Sequence, residues 1–138
     1  MAKMNPYLNF DGKCEEAFNF YKSVFGGEFS DINRMNEAPG MELAENEKNR
    51  IMHMSLPIDG HTILMGSDIL PSAGHVLKQG NNVYLSLHPE SKEEADRLFN
   101  GLSEGGNVEM AMADTFWGAY FGSFQDKYGI HWMINQQH

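Results

Sequence analysis

The strongest constraint on this chain is an order of predicted elements that occurs twice. Two helical patterns end at the glycine pairs Gly26-Gly27 and Gly105-Gly106, which begin 79 residues apart. The strand-like runs before the helices begin at Asn5 and Asn82, which are 77 residues apart. Three further strand candidates follow each helix. The chain is therefore predicted to contain two tandem β-α-β-β-β modules, an α+β architecture.

The helices are the clearest single elements. Apolar residues keep helical spacing from Cys14 to Phe25, which predicts the first helix. The second helix is predicted to begin at Ser91, because Glu94 three residues later completes a capping-box pattern. Both helices are expected to end at their glycine pairs, since glycine favours helix termination.

The strand candidates are short runs of β-branched, aromatic and other apolar residues between turn formers. They are 5–10, 29–33, 51–58 and 62–67 in the first module, and 83–87, 108–113, 119–124 and 131–135 in the second. The stretch 69–81 is rich in turn formers and predicts a linker that joins module 1–68 to module 82–138 within a single domain, 1–138. We expect the segment 36–49 to form a solvated flap that gates a pocket.

Charge and composition exclude several classes of partner. Ten basic residues against 19 acidic ones give a net charge of −9, which argues against nucleic-acid binding. No apolar run reaches the roughly 20 residues of a membrane span. With Cys14 as its one cysteine the chain forms no internal disulfide. We expect a soluble cytoplasmic protein with no nucleic-acid and no membrane partner.

Few residues carry a recognisable catalytic pattern. Cys14 at a helix start is open to two interpretations, a packing cysteine or a thiolate favoured by the helix dipole. Gly101-Leu-Ser103-Glu-Gly105 spells a nucleophile elbow, but its serine closes a helix instead of following a strand. No glycine-rich phosphate loop follows a strand, and no two histidines have the i, i+4 spacing of a helical zinc motif. We therefore predict no cofactor. His61 and His138 are expected to be solvent groups.

Two polar residues on predicted strands are pocket candidates. Alternation places His53 on one face with Ile51 and Ser55, opposite the face of Met52, Met54 and Leu56. It is either a strand histidine bonded to a neighbour or a polar group facing a pocket. Asp68 ends a strand and is either a turn former or helix cap, or a carboxylate that closes the mouth of a cleft.

The segment 116–132 holds seven of the 16 aromatic residues. Aromatic walls with a few polar groups are typical of small-molecule pockets, although a packed core explains them equally well. Strand alternation puts His131 and Met133 on one face and Trp132 on the other. We expect Trp117 to lie in the turn before a strand and to contact ligand.

Four stretches carry a family resemblance: 7–12, 16–27, His53 with 63–68, and 114–132. They resemble the PhnB-like branch of the glyoxalase/bleomycin resistance/dioxygenase (vicinal oxygen chelate) superfamily. The resemblance implies two βαβββ modules that form a cupped mixed sheet, a homodimer, and a cup-shaped site in each half, to which Tyr7 belongs. It also implies the label 3-demethylubiquinone-9 3-methyltransferase-like, although the chain has no glycine-rich loop of the kind that seats a methyl-donor nucleotide.

The resemblance also implies positions for metal ligands. Metal-dependent members of the superfamily place ligands in the first and last strands of each module, and these positions fall on Asn5, Asn82, Met133 and near Met65. The resemblance therefore implies that Met133 faces the pocket and that Trp132, on the other face of its strand, faces the helices. Amides and thioethers are poor ligands for zinc, iron or manganese, so we predict no metal.

Two functional hypotheses remain open from the sequence. One is a metal-independent module that binds an unknown small molecule. The other is an enzyme of the lyase, isomerase or oxygenase type, with His53 as a general base assisted by Asp68 or by a bound metal. A carboxylate within hydrogen-bond reach of His53 would favour the enzyme.

Overall fold

The computed structural model describes residues 2–40 and 42–137. The chain divides into two compact units, Met1–Lys78 (unit 1) and Gln79–His138 (unit 2), and the division falls inside the predicted linker. Within the described residues no helix has the length and apolar character needed to cross a membrane. His138, expected to be a solvent group, lies outside the described residues.

Unit 1 contains one helix and one four-stranded sheet. Its strand order is β1-β4-β3-β2, in which β1 runs parallel to β4 and the other neighbours are antiparallel. The elements are β1 Tyr7–Phe10, α1 Cys14–Phe25, β2 Asp31–Arg34, β3 Ile51–Pro57 and β4 Ile63–Asp68.

Unit 2 repeats this arrangement. Its strand order is β5-β8-β7-β6, with β5 parallel to β8 and the other pairs antiparallel. The elements are β5 Leu85–Leu87, α2 Lys92–Ser103, β6 Asn107–Asp114, β7 Ala119–Gln125 and β8 His131–Gln137. The predicted βαβββ duplication is confirmed. Both first strands start later than predicted, at Tyr7 and Leu85.

In each unit a glycine on the sheet lets a helix phenylalanine approach closely. A Cβ on Gly66 of β4 would stand 2.7 Å from the Phe18 ring of α1. A Cβ on Gly122 of β7 would stand 3.0 Å from the Phe99 ring of α2. These contacts identify the sheet face that each helix covers, and we call the opposite face the helix-free face.

Alternation along the strands sorts the remaining side chains between the two faces. On β7, Phe124 packs edge-on against Phe99 at 5.2 Å and therefore faces the helix, so Phe121, Ser123 and Gln125 belong to the helix-free face. Phe121, Ser123 and Gln125 pair with Asn135, Met133 and His131 of β8. Trp132 pairs with Phe124 and faces the helix side, as the alternation predicts.

The predicted face of Ile51 is wrong. The register between β2 and β3 shifts at Asn33/Arg34, and such a bulge breaks strict alternation. Ile51 is 1% exposed and lies in the core, whereas Met52 is 36% exposed. His53 and Ser55, beyond the bulge, keep alternate positions opposite Asn33 and Asp31.

The loop between β2 and β3 is solvated over most of its described residues, as predicted, but it is anchored at Glu47. The side chain of Glu47 is 2% exposed and accepts hydrogen bonds from the backbone N–H and the hydroxyl of Ser72. These bonds and the neighbouring cation of Arg50 hold the pKa of Glu47 below its usual range, the Ser72 hydroxyl being the largest cause. The expected loop is therefore fastened to the 3-10 turn at Pro71–Ala73.

Candidate functional site

Tyr7 and His53 meet in unit 1. The Tyr7 hydroxyl lies 3.3 Å from Nδ1 of His53, and the two rings stack with centroids 5.7 Å apart. Tyr7 is 47% exposed, and β1 and β3 are separated in the sheet only by β4. The structure therefore brings two predicted pocket residues together, with a phenol instead of a carboxylate beside the imidazole.

Asp68 has a structural role. It is 5% exposed, and its two carboxylate oxygens accept the backbone N–H groups of Cys14, at 3.0 Å, and of Ile51, at 2.9 Å. The residue before α1, Lys13, provides no side-chain cap, so Asp68 supplies an acceptor for the helix start from a distant strand. Of the two interpretations of Asp68, the helix cap agrees with the structure and the cleft-closing carboxylate does not.

Cys14 is a packing cysteine. Its side chain is fully buried, and burial, followed by the charges of Asp68 and Glu15, raises the pKa of the thiol well above its usual range. A thiol held in this neutral form is a poor nucleophile. The thiolate interpretation is therefore wrong.

Trp117 occupies the hairpin tip between β6 and β7. It is 52% exposed, and its ring contacts Phe116 edge-on at 5.1 Å and Phe121 at 6.0 Å. Phe116 is 98% exposed. Because Phe121 belongs to the helix-free face of unit 2, its contact with Trp117 places the indole at one end of that face.

Met133 and Trp132 lie on opposite faces of β8. Met133 is half-buried and pairs with Ser123 and Ser86 on the helix-free face. Trp132 is 2% exposed, and its indole N–H donates to the Asp126 carboxylate at 2.8 Å. Met133 and Trp117 therefore share a surface in unit 2, and Trp132 belongs to the core.

A cluster of three side chains that the sequence analysis missed lies on the helix-free face of unit 2, at the end opposite Trp117. The Tyr84 hydroxyl donates to Oε1 of Glu109 at 2.8 Å, and Oε2 of Glu109 lies 3.6 Å from Nδ1 of His131. The rings of Tyr84 and His131 are 5.0 Å apart. The hydrogen bond to Glu109, followed by desolvation, raises the pKa of Tyr84, which keeps the phenol protonated.

Sequence spacing gave no reason to group these three residues. They come from the segment before β5, from β6 and from β8. Alternation identified the face of His131, but its partners depend on strand order, in which β6 and β8 flank β7 and β5 flanks β8.

The residues at the metal positions implied by the resemblance offer amide and thioether groups. Oδ1 of Asn5 already accepts the backbone N–H of Ile63 at 3.0 Å, and Asn82 is exposed before β5. Met65 and Met133 offer thioethers, which do not suit zinc, iron or manganese. Among the described residues no group of three or more His, Cys, Asp or Glu side chains could hold a metal ion.

Two four-stranded mixed sheets, each with one helix, define the glyoxalase/bleomycin resistance/dioxygenase fold. A family enzyme of that description from Burkholderia phytofirmans PsJN superposes with a TM-score of 0.60 at 17% identity, covering 99% of this chain and 97% of the other. At that identity the likeness shows the fold alone.

The family follows from closer matches. The family model described as 3-demethylubiquinone-9 3-methyltransferase matches residues 2–135, and the chain belongs to this PhnB-like family. Protein YjdN of Escherichia coli K12 is 36% identical, over 96% of this chain and 93% of that protein.

Two solved structures are similar over nearly the full length. Protein PA1353 of Pseudomonas aeruginosa is 39% identical, with a TM-score of 0.88, covering 99% of this chain and 98% of the other. The PhnB protein of Bacillus cereus is 29% identical, with a TM-score of 0.78, covering 98% and 99%.

Proposed function

We propose that this protein is a metal-independent module that binds a small organic molecule on the helix-free face of unit 2. The observation that carries the proposal is the exposure of Trp117, whose indole is 52% exposed while it packs on Phe121. A large aromatic surface left open beside polar groups is typical of ligand sites. Met133 continues the apolar surface along the same face, next to Ser123.

The chemistry of the donor set supports metal independence. The resemblance assigns the ligand positions of metal-dependent members to Asn5, Asn82, Met133 and the neighbourhood of Met65, and none of these residues offers imidazole or carboxylate. Elemental analysis of the dialysed protein tests this point. We expect no stoichiometric transition metal, and about one zinc, iron or manganese per chain would contradict it.

Tyr7 and His53 are proposed as a second, smaller contact surface in unit 1. Their mutual hydrogen bond at 3.3 Å leaves part of Tyr7 open to a ligand. General-base catalysis by His53 loses one of its two expected assistants, because both oxygens of Asp68 accept backbone N–H groups. Methyl transfer also lacks support, since no glycine-rich loop follows a strand.

The binding proposal is tested by a thermal-shift screen of a fragment library, because a ligand that binds only the native state raises its melting temperature. Each hit is then titrated against wild type, Trp117→Ala and Met133→Ala, with Met52→Ala as the control for loss of an exposed methionine in unit 1. We expect both unit 2 variants to weaken binding and Met52→Ala to leave it unchanged. Hits whose affinity is the same in all four proteins would contradict the proposed face.

A homodimer and a cytoplasmic location complete the proposal. β6 is a sheet-edge strand of eight residues, on which Val108 is 47% and Met110 is 53% exposed, and such edges pair readily with another chain. The single buried Cys14 suits a reducing compartment. We expect sedimentation to give a dimer that Val108→Lys dissociates, and a wild-type monomer at micromolar concentration would contradict the dimer. The single domain over 1–138 that the sequence predicts also stays a prediction.

A further inference from the structure

Glu109 is presented to the helix-free face of unit 2 by an irregularity in the sheet. The register between β6 and β7 shifts between Val108 and Met110, so that Glu109 lies inside the shift. Bulges of this kind re-aim a side chain and are frequent beside functional sites. The side chain of Glu109 is 30% exposed, so it is accessible to a ligand.

The carboxylate of Glu109 retains unused capacity to accept hydrogen bonds. Oε1 accepts the Tyr84 hydroxyl, but Oε2 lies 3.6 Å from Nδ1 of His131, which is too long for a hydrogen bond. Among the residues that the structure describes, no lysine or arginine pairs with Glu109. Within the described residues, its negative charge therefore faces no cation other than His131 when that imidazole is protonated.

His131, on the other side of this 3.6 Å gap, supplies a second sign of an incomplete site. Its side chain is 9% exposed, and Nδ1 has no hydrogen-bond partner within the described part of the chain. A buried polar atom without a partner is costly and rare in native proteins. This atom lies 3.6 Å from Oε2 of Glu109.

Two aromatic rings border the carboxylate. Tyr84 and His131 lie 5.0 Å apart with their planes at 46°. The phenol ring of Tyr84 beside a carboxylate favours an organic cation, because the ring quadrupole and the negative charge attract it together. The protein's net charge of −9 acts in the same direction at longer range.

We propose that Glu109, positioned by Tyr84 and His131, binds the protonated amino group of an elongated amphiphilic amine whose apolar end lies on Trp117 and Phe121. This inference rests on the proposed function and specifies its ligand class. Phe121 and Gln125, the β7 partners of Asn135 and His131, are separated by about 13 Å at the usual strand rise. The ligand accordingly carries its amine roughly 10 Å from its apolar group.

Three probes with one carbon skeleton, long enough to span this distance, test the charge requirement: 6-phenylhexylamine, 6-phenylhexan-1-ol and 6-phenylhexanoate. Affinities are measured by titration calorimetry at low ionic strength for wild type, Glu109→Gln and Trp117→Ala. Glu93→Gln is the matched control, because it removes one exposed negative charge at the first turn of α2, outside the site. Glu109→Gln keeps an acceptor for Tyr84, and a melting curve of each variant checks the fold.

We expect wild type and Glu93→Gln to bind the amine at least about tenfold more tightly than the alcohol, with the carboxylate weakest. Glu109→Gln should bind amine and alcohol about equally, whereas Trp117→Ala should weaken both by the same factor. Binding of the amine should also shift the NMR signals of the His131 ring and of the Trp117 indole together.

An amine no tighter than the alcohol, or an amine preference that survives in Glu109→Gln, overturns the inference. If Trp117→Ala still weakens the alcohol in that case, the proposed function stands without the amine. If fragment hits bind equally well to wild type and Trp117→Ala, the proposed function fails as well.

Discussion

The two units share one strand order and one helix position, but their helix-free faces differ in chemistry. In unit 1 the polar groups of that face satisfy one another: the Ser30 and Ser55 hydroxyls are 2.7 Å apart, and Tyr7 meets His53. In unit 2 the face carries an exposed indole at one end and, at the other, a carboxylate beside a histidine with an unpartnered nitrogen. The same backbone arrangement thus presents polar side chains that are mostly hydrogen-bonded to one another in unit 1, and polar side chains with unused hydrogen-bonding capacity in unit 2.

The units also start their helices differently. α2 is capped locally, since the Ser91 hydroxyl accepts the backbone N–H of Glu94 at 3.1 Å. α1 follows Lys13, which gives no cap, and depends on the Asp68 carboxylate at the end of β4. The comparison shows that one structural requirement, an acceptor at a helix start, is met by neighbouring sequence in unit 2 and by tertiary structure in unit 1.

The largest expected effect separates the two tryptophans of unit 2. Trp132→Ala should lower the free energy of unfolding by about 3–5 kcal/mol, the range for truncation of a buried aromatic residue. Trp117→Ala, at the exposed hairpin tip, should cost about 0.5 kcal/mol or less. Chemical denaturation of both variants measures the difference. Equal losses in the two, with ligand binding unaffected, would overturn their assignment to core and site.

A smaller effect is expected from removing the tertiary cap of unit 1. Asp68→Ala should cost about 2–4 kcal/mol, because the buried N–H groups of Cys14 and Ile51 lose their acceptors. Asp68→Asn keeps acceptor oxygen and should lose less. The same denaturation measurement decides, and a neutral Asp68→Ala would show that α1 does not need this carboxylate.

Removal of the local cap of unit 2 should cost less again. Ser91→Ala should destabilise the protein by about 1 kcal/mol, the usual value for losing a side-chain cap, whereas Ser91→Asp should remain within a few tenths of wild type. A loss from Ser91→Ala larger than that from Asp68→Ala would reverse the proposed contrast between the units.

Chemical labelling of the Cys14 thiol measures how often unit 1 opens in the wild-type protein. Because burial keeps the pKa of Cys14 raised, the thiol should react with a disulfide reagent at pH 8 only when the structure opens, far more slowly than in denaturant. Asp68→Ala should accelerate this labelling, and Ser91→Ala in unit 2 serves as the control. Immediate labelling of native wild type would contradict the buried position.

Much of the fold was predictable because its signals are local. The helical spacing from Cys14 to Phe25, the cap at Ser91 and the glycine pairs each depend on residues within a few positions of one another. These signals repeat at nearly constant separation, so the βαβββ duplication could be derived without knowing any contact. Strand alternation also placed His131 and Met133 on one face and Trp132 on the other.

Other features depended on partners that are distant in the chain. Asp68 was ambiguous because a carboxylate at a strand end looks the same whether it closes a cleft or caps a helix 54 residues earlier. The bulges at Asn33/Arg34 and at Val108/Met110 moved Ile51 into the core and re-aimed Glu109, and no local pattern announces such a shift.

The amino-acid sequence by itself therefore determined the repeated order of strands and helices, since hydrophobic spacing, caps and turn residues act over a few positions. Only the tertiary structure decided which polar groups meet: Tyr7 with His53, and Tyr84 with Glu109 and His131. Those meetings follow from strand order and register, which are set by the packing of whole elements. The packing energy that favours these contacts is spread over the sheet and the helix. The residues that come into contact therefore show no local sequence pattern that predicts the contact.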